Sequence, residues 1–338
     1  MDDLLPSAIP FWGTIEILKR CNSRCSYCNN WKENASQRIS AADCQELFPQ
    51  LTSLGVQRLI ITGGEPLLHP ELDMILKLAV SSKIYTSLIT NGLLLSSARF
   101  DALVKAGLQG ITLSLDTLDP EIYYKHRGVK LQNPLKKLQL ISEYAHRFNL
   151  SASVNCVLSS LNSKGLENLI NTANDLELPV MIQPCITDNQ PQLQYLVPAG
   201  QELPNVKRNL QKVIEMKENG FRILSSSEFL TNIYEYWSKG CVQPITKCEY
   251  GFINLTINHL GDVLPCWRLP AIGNIHTASV VELWNSSEMQ NWRLRMLAGK
   301  CPGCWLSCSF DWQSTLKSEK YCVEQWRSNL SNPQVINT

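Results

Sequence analysis

The sequence predicts an α/β chain: a partial (β/α)6 TIM-type barrel over residues 1–200, a helical linker over 201–240 and a smaller cysteine-rich domain over 241–338. Three observations predict it. From Phe11 to about Gln183 short apolar runs alternate with amphipathic stretches, as βα units do when they build a parallel sheet. A polar, proline-bearing stretch, TDNQPQLQYLVPAGQELP at 187–204, ends that alternation. From Cys241 onward the chain becomes dense in cysteine and tryptophan.

In order, the strands are GTIEIL (13–18), VQRLIIT (56–62), YTSLIT (85–90), GITLSL (110–115), SASVNCVL (151–158) and PVMIQP (179–184). Between them, SAADCQELFPQLTSLG, HPELDMILKLAVSS, SSARFDALVKAG and NPLKKLQLISEYAHRFN carry apolar residues at helical spacing. SAAD and HPEL read as helix starts, one through a capping serine and the other through an early proline. Successive βα repeats of this kind place their chemistry at the C-terminal ends of the strands. Further on, VKRNLQKVIEMKENG (206–220) reads as a helix and FINLTINHLGDVLPC (252–266) as a hairpin.

At 44% hydrophobic and 18% charged, the 338 residues suffice for one large core and a smaller one. Lys+Arg at 31 against Asp+Glu at 30 leaves no overall electrostatic footprint for nucleic acid or an anionic membrane. The start, MDDLLPSAIPFWG, is acidic and proline-interrupted, unlike a signal peptide, and no apolar run is long enough to span a bilayer. These features predict a cytoplasmic protein. In that reducing compartment the 13 cysteines read as metal ligands or reactive thiols instead of disulfides.

RCNSRCSYCNNW at 20–31 follows the first strand and gathers Cys21, Cys25 and Cys28, with Tyr27 beside the last. Thiolates are the ligands that iron–sulfur clusters favour, and three of them on a four-iron cubane leave one iron open for a substrate or cosubstrate. The plainer readings are a zinc knuckle lacking its fourth ligand, or buried cysteines without metal. TGGEPLL (62–68) ends the second strand, where Gly63 and Gly64 allow a close backbone approach and Glu65 and Pro66 turn the chain. SLITNG (87–92), with Asn91, ends the third strand, and SLDTLDPEIYYKHRG (114–128), with Ser114, Asp116 and Arg127, ends the fourth. Taken alone, the Gly-Gly and Asn-Gly pairs are turns, Asp116 and Arg127 form a helix-capping salt bridge, and His126 is a surface or packing residue.

CNSRCSYC resembles the CxxxCxΦC signature of the radical S-adenosylmethionine (SAM) enzymes, Φ being Tyr27. The resemblance implies that Cys21, Cys25 and Cys28 hold three irons of a 4Fe-4S cluster, while the methionyl amine and carboxylate of SAM chelate the fourth. Reductive cleavage would then give a 5′-deoxyadenosyl radical that abstracts hydrogen from substrate. The Gly63, Gly64, Glu65 and Pro66 stretch resembles the family's GGEP motif, whose backbone binds the methionyl amine. The stretch from Ser114 to Gly128 resembles the molybdenum-cofactor cyclase branch. It implies that Ser114 contacts the ribose or amine and Arg127 the methionyl carboxylate, with Asn91, Asp116, Asn155 and Gln183 as further cofactor contacts. Such a radical attacks almost any C–H bond, so the site must exclude water and hold the target carbon close.

Four thiols of the C-terminal region, Cys248, Cys266, Cys301 and Cys304, suit zinc or a 4Fe-4S cluster equally well on local spacing. Cys248, the hairpin with Gly261, IGNIHTASVVELWNS (272–286) and CPGCWLSC (301–308) together resemble the SPASM and twitch domains, which carry auxiliary 4Fe-4S clusters. The full SPASM pattern expects CxxCxxxxxCxxxC, and this chain departs from it with CxxCxxxC. One auxiliary cluster on those four cysteines is therefore expected, leaving Cys241, Cys308 and Cys322 over. Cys308 is the candidate catalytic thiol that returns a hydrogen atom if the outcome is epimerisation. Cys44, Cys156 and Cys185 are expected to be packing residues, and Trp267, Trp284, Trp292, Trp305 and Trp312 to wall the clusters from water.

The expected function is radical SAM modification of a ribosomally made peptide, by epimerisation or cross-linking. The alternative is oxidation or rearrangement of a small molecule, an alcohol, sugar or cofactor precursor. Almost nothing precedes Cys21, so an N-terminal peptide-recognition domain is not expected, which counts against the peptide reading without removing it. The resemblance also implies an external electron donor such as flavodoxin or ferredoxin; neither nucleic acid nor membrane is expected as a partner. A remote alternative, a non-catalytic zinc or iron–sulfur protein, predicts no 5′-deoxyadenosine from SAM.

Overall fold

A computed structural model describes residues 8–33, 36–186, 191–239, 248–301 and 304–306. The six expected strands are present as β1 (Trp12–Glu16), β2 (Arg58–Thr62), β3 (Tyr85–Thr90), β4 (Gly110–Ser114), β5 (Ser151–Leu158) and β6 (Val180–Pro184). They pair in parallel and in chain order. Helices α1 (Ala41–Ser53), α2 (Leu72–Ser81), α3 (Ser97–Lys105), α4 (Pro120–Arg127), α5 (Pro134–Phe148) and α6 (Leu166–Asp175) lie between them. The crossovers bury alternate residues of each strand against the helices. A Cβ on Gly13 would meet Leu51, Val56 and Leu59, and Ile15 belongs to the main core. Strand alternation therefore turns Trp12, Thr14 and Glu16 to the concave, barrel-interior face.

Local chemistry explains the helix ends. Ser40 accepts a hydrogen bond from the Asp43 N–H while Asp43 accepts one from the Ser40 N–H, a capping box that starts α1 where SAAD predicts it. HPEL does not start α2 in this way. Glu71 sits at the cap without a side-chain bond, and His69 instead accepts from the Glu71 N–H and reaches the Ile39 carbonyl at 2.9 Å. α4 begins on Asp119, whose Oδ1 accepts from the N–H groups of Glu121 and Ile122, and ends on Gly128 at φ 64°. No helix was predicted there, because α4 buries His126 and Arg127 alongside Tyr123 and so lacks an apolar stripe.

The linker is helical, and both it and the cysteine-rich region join the barrel. α7 (Glu202–Glu218) and α8 (Ser227–Lys239) are packed into the main core through Leu210, Val213, Phe229 and Ile233. The segment between them covers the edge of β6: Val180 donates to the Arg222 carbonyl, and Leu224 donates to the Val180 carbonyl. Beyond it come α9 (Tyr250–Ile253), β7 (Asn254–Ile257), β8 (Asp262–Leu264), β9 (Gly273–Asn274), α10 (Val280–Asn285) and α11 (Ser287–Leu297). The hairpin forms, with Gly261 in its turn at φ 84°, but β7 also pairs in parallel with β1. One sheet thus runs β6-β5-β4-β3-β2-β1-β7-β8-β9, and the C-terminal region continues the barrel sheet. Among the described residues no helix is long and apolar enough to cross a membrane.

Candidate functional site

A cavity of about 190 Å³ opens at the C-terminal ends of the parallel strands. Cys21, Cys25, Tyr27, Cys28, Gly63, Gly64, Asn91, Ser114, Arg127 and Asn155 all line it, together with Ser23, Asn30, Trp31, Thr62 and Thr90, which sequence reasoning missed. The missed residues lie within the quoted motif stretches, but their own side chains are not the distinctive ones there. Strand alternation alone could have placed Thr62, which pairs with Glu16 across β1 and β2.

The thiol loop is held from outside by the end of α4. Ser23 Oγ and the Arg24 N–H both donate to the Arg127 carbonyl, and Ser26 donates through its N–H and its hydroxyl to the His126 carbonyl. These carbonyls belong to the last turn of α4, where helix geometry leaves them without intrahelical partners. From inside, Trp31 Nε1 donates to the Cys25 carbonyl at 3.1 Å, and the Ser23 N–H approaches Cys21 Sγ at 3.3 Å. Asn30 Nδ2 bridges Glu16 and the Gly63 carbonyl, tying the loop to β1 and to the turn after β2.

The two glycines line the cavity and also let the chain pack closely against itself. A Cβ on Gly63, at φ 150°, would lie 2.5 Å from the Leu18 carbonyl oxygen, and one on Gly64 would overlap the carbonyls of Lys19 and Arg20. Their freedom lets this turn lie against the chain leading into Cys21, with Gly64 N–H donating to Leu18 and Glu65 N–H to Arg20. Glu65 and Pro66 do not line the cavity. Glu65 is fully buried: Oε1 accepts from Thr90 Oγ1 at 2.7 Å and from the Leu67 N–H, and Oε2 accepts from the Asn91 N–H at 2.8 Å. Burial pushes its pKa up, while these donors favour the charged form.

Asp116 and Arg127 form the salt bridge of the plainer reading. Asp116 receives Arg127 Nε at 2.7 Å and Nη2 at 2.8 Å in a bidentate pair, plus Tyr27 Oη, His126 Nδ1 and the Val157 N–H. Both its oxygens are occupied within the chain, and Asp116 does not line the cavity. Arg127 borders the cavity and gives two of its donors, Nε and Nη2, to Asp116. The pair caps no helix, since Asp119 caps α4. Burial alone would raise the Asp116 pKa, yet Arg127 and His126 hold it well below the usual carboxylate range. His126 is not at the surface; its fully buried ring joins Asp116 to Ser159 Oγ at 2.8 Å. Gln183 stands behind the lining, donating to Asn155 Oδ1 at 3.3 Å.

The donor set fits a thiolate-bound cluster. None of the described cysteines is in a disulfide. Burial, reinforced by Cys25 and Cys28, pushes Cys21 up to about 11, so this thiol keeps its proton until a cationic centre replaces it. The same signature recurs in the C-terminal region. Burial pushes Cys248 up to about 12 and Cys266 to about 11, and the neighbours felt by Cys248 are Cys304, Cys266 and Cys301. Cys248, Cys266 and Cys301 pack in one cluster with Tyr250, Leu269, Met296 and Trp292, and Cys304 is near enough to raise the Cys248 pKa. Cys241, Cys308, Cys322 and Trp312 lie outside the described residues. Cys44, Cys156 and Cys185 are buried, as packing residues are. The tryptophans diverge: Trp292 packs at the thiols, but Trp267 is 38% exposed, Trp305 stacks on Phe229 and Trp284 lies under Arg293.

Residues 15–171 match the radical SAM superfamily, and residues 248–308 match an iron–sulfur cluster-binding domain, SPASM. The chain belongs to the radical SAM superfamily and is an enzyme of that class. More narrowly, it is a radical SAM protein with a SPASM domain, whose cofactors are SAM, a 4Fe-4S cluster and auxiliary iron–sulfur clusters.

Among curated proteins, it is 34% identical to the GTP 3′,8-cyclase of Chlorobaculum tepidum over 158 residues, 46% of this chain and 46% of that protein. It is 26% identical to the PqqA peptide cyclase of Rhizobium meliloti over 301 residues, 85% of this chain and 77% of that protein. The match to the first of these spans about half its length. Streptococcus suis SuiB bound to its precursor peptide SuiA shares the fold at TM-score 0.67 and 18% identity, over 88% of this chain and 72% of SuiB. So does anSMEcpe with bound AdoMet and a peptide, at TM-score 0.65 and 18% identity over 96% of this chain and 99% of that one.

Proposed function

We propose that this enzyme modifies a ribosomally made peptide, with Cys21, Cys25 and Cys28 holding the SAM-binding cluster and Cys248, Cys266, Cys301 and Cys304 an auxiliary one. Bound and reduced, these cofactors supply a 5′-deoxyadenosyl radical for hydrogen abstraction. The chain's own residues fix the thiol loop between α4 and the turn after β2, and they present Asn91, Ser114 and Asn155 to the cosubstrate. The observation that carries the peptide reading is the extent of the likeness. The match to the PqqA peptide cyclase runs through barrel and C-terminal domain alike, whereas the match to the GTP 3′,8-cyclase covers 158 residues. Radical SAM chemistry on a small molecule is the second reading, favoured by the higher identity of that shorter match.

The test is anaerobic reconstitution, iron counting, and incubation with SAM, dithionite and each short peptide encoded beside the gene, followed by mass spectrometry in D2O. A 2 Da loss marks cross-linking and a 1 Da gain marks epimerisation. In the second case Cys308→Ala should abolish the gain without changing the iron count. Formation of 5′-deoxyadenosine with every peptide unmodified would shift the assignment to a small-molecule substrate.

A further inference from the structure

We propose that the outer face of the Cys21–Cys28 loop, together with the C-terminal end of α4, is the docking surface for an acidic one-electron carrier protein. It rests on the reading of that loop as the SAM-cluster site, because only then must an electron enter there from outside.

The formal charge of the whole chain is +1, but its distribution is uneven. From Ile17 to Lys32 there is no acidic residue, while Lys19, Arg20, Arg24 and Lys32 are basic. From Ile122 to Ser142 there is again none, against Lys125, Arg127, Lys130, Lys136 and Lys137. The fold joins these two stretches. Arg24 N–H donates to the Arg127 carbonyl, Ser26 N–H to that of His126, and a Cβ on Gly128 would lie 2.8 Å from Arg24 Cβ.

Several of these charges are satisfied internally: Arg127 by Asp116, Lys19 by Glu16 and Glu33, and Lys137 by the Leu95 carbonyl. Arg24, Lys125 and Lys130 are exposed and make no ion pair among the described residues. Glu121 stands one helical turn before Lys125 on α4, while neither Arg24 nor Lys130 has a carboxylate within seven residues of it in sequence. Tyr124, 51% exposed on the same helix, offers an apolar contact beside the cations.

Three exposed cations on the loop and on the chain packed beside it form a local positive field, and such a field steers an oppositely charged partner. A polyanion of any kind would respond to the charge. Position favours the carrier: Arg24 lies between two of the thiols that hold the cluster, so a partner seated here is separated from it only by the loop.

The test uses the reconstituted holoenzyme with SAM and no substrate, reading 5′-deoxyadenosine with two reductants: reduced flavodoxin, an acidic carrier, and the small reductant dithionite. The doubly substituted Lys125→Glu, Lys130→Glu protein and Arg24→Gln are compared with the parent. Charge reversal is expected to lower the flavodoxin-driven rate by roughly 10- to 1,000-fold at low salt. The dithionite-driven rate should change by less than about threefold, as expected when steering is bypassed. Flavodoxin binding, followed by calorimetry, should weaken in the same order, and the parent's flavodoxin-driven rate should fall steeply with added salt.

Equal loss with both reductants would mean that the substitution damaged the site, and the parent's salt dependence then decides. A flavodoxin-driven rate indifferent to salt and to all three substitutions overturns the proposal. So does charge-dependent binding of a single-stranded oligonucleotide with no flavodoxin response. No 5′-deoxyadenosine even with dithionite would overturn the cluster-site reading itself, and this proposal with it.

Discussion

Replacing Asp116 by asparagine changes one atom in a buried network, and the geometry sets the consequence. Oδ2 of Asp116 faces three donors, Tyr27 Oη, His126 Nδ1 and Arg127 Nε, while Oδ1 faces Arg127 Nη2 and the Val157 N–H. In either orientation an amide presents N–H groups to one of these sets. The tyrosine hydroxyl and the imidazole can exchange donor and acceptor roles, but a guanidinium and a backbone N–H cannot. Arg127, 4% exposed, would also lose its counter-charge. Breaking a buried pair from one side costs about 3–5 kcal/mol. With an unfolding entropy of about 2.1 cal/mol/K per residue, or about 0.7 kcal/mol/K over 338 residues, Tm should fall by about 4–7 °C. Differential scanning calorimetry of the metal-free chain measures it. Because Tyr27 stands between Cys25 and Cys28, iron bound per chain after reconstitution should fall as well. A Tm within about 1 °C of the parent's, where a cost of several kcal/mol is expected, would refute the claim that this carboxylate neutralises Arg127.

Two other outcomes follow from the same geometry. Gly64→Ala must push its methyl into the carbonyls of Lys19 and Arg20, at an expected cost of about 1–3 kcal/mol; calorimetry should show the loss, and isothermal titration should show weakened SAM binding. The folded Asp116 pKa lies below its unfolded value, about 3.9. Its contribution is therefore complete above that value and lost as pH falls below about 4, so Tm of parent and Asp116→Asn should converge between about pH 5 and pH 2.

The elements visible in the sequence were those whose cause is local. YTSLIT and SASVNCVL form β3 and β5 over the stretches their β-branched residues mark, and Ser40 with Asp43 starts α1 through its own cap. The thiol loop and its neighbouring turns were visible because cysteine and glycine are chemically distinctive. What escaped depends on distant partners. Thr14 and Asn254, hydrogen-bonded at 3.0 Å in the β1–β7 seam, are 240 residues apart, and nothing in NLTI specifies β1 as its neighbour. Gly63 and Gly64 showed in the sequence that something approaches closely, but not that the chain leading into Cys21 is among the groups that do. α4 escaped because its inward face is a histidine and an arginine, whose burial makes sense only once Asp116 lies beneath them.

The parallel pairing of β7 with β1 bears on how this enzyme can be taken apart. β1 follows directly on the first residues described and leads into the first thiol loop, while β7 follows Cys248 by a few residues. A barrel fragment ending before Cys248 would expose the backbone donors and acceptors of β1 along its whole length, a bare edge that invites self-association. It would also strip Thr14 of Asn254 and Glu16 of His259, leaving Glu16 with only Asn30 and Lys19 among the described residues. Domain dissection, the usual route to studying one cluster at a time, would therefore yield a sticky, half-satisfied sheet. The two centres are better separated by single cysteine substitutions within the intact chain.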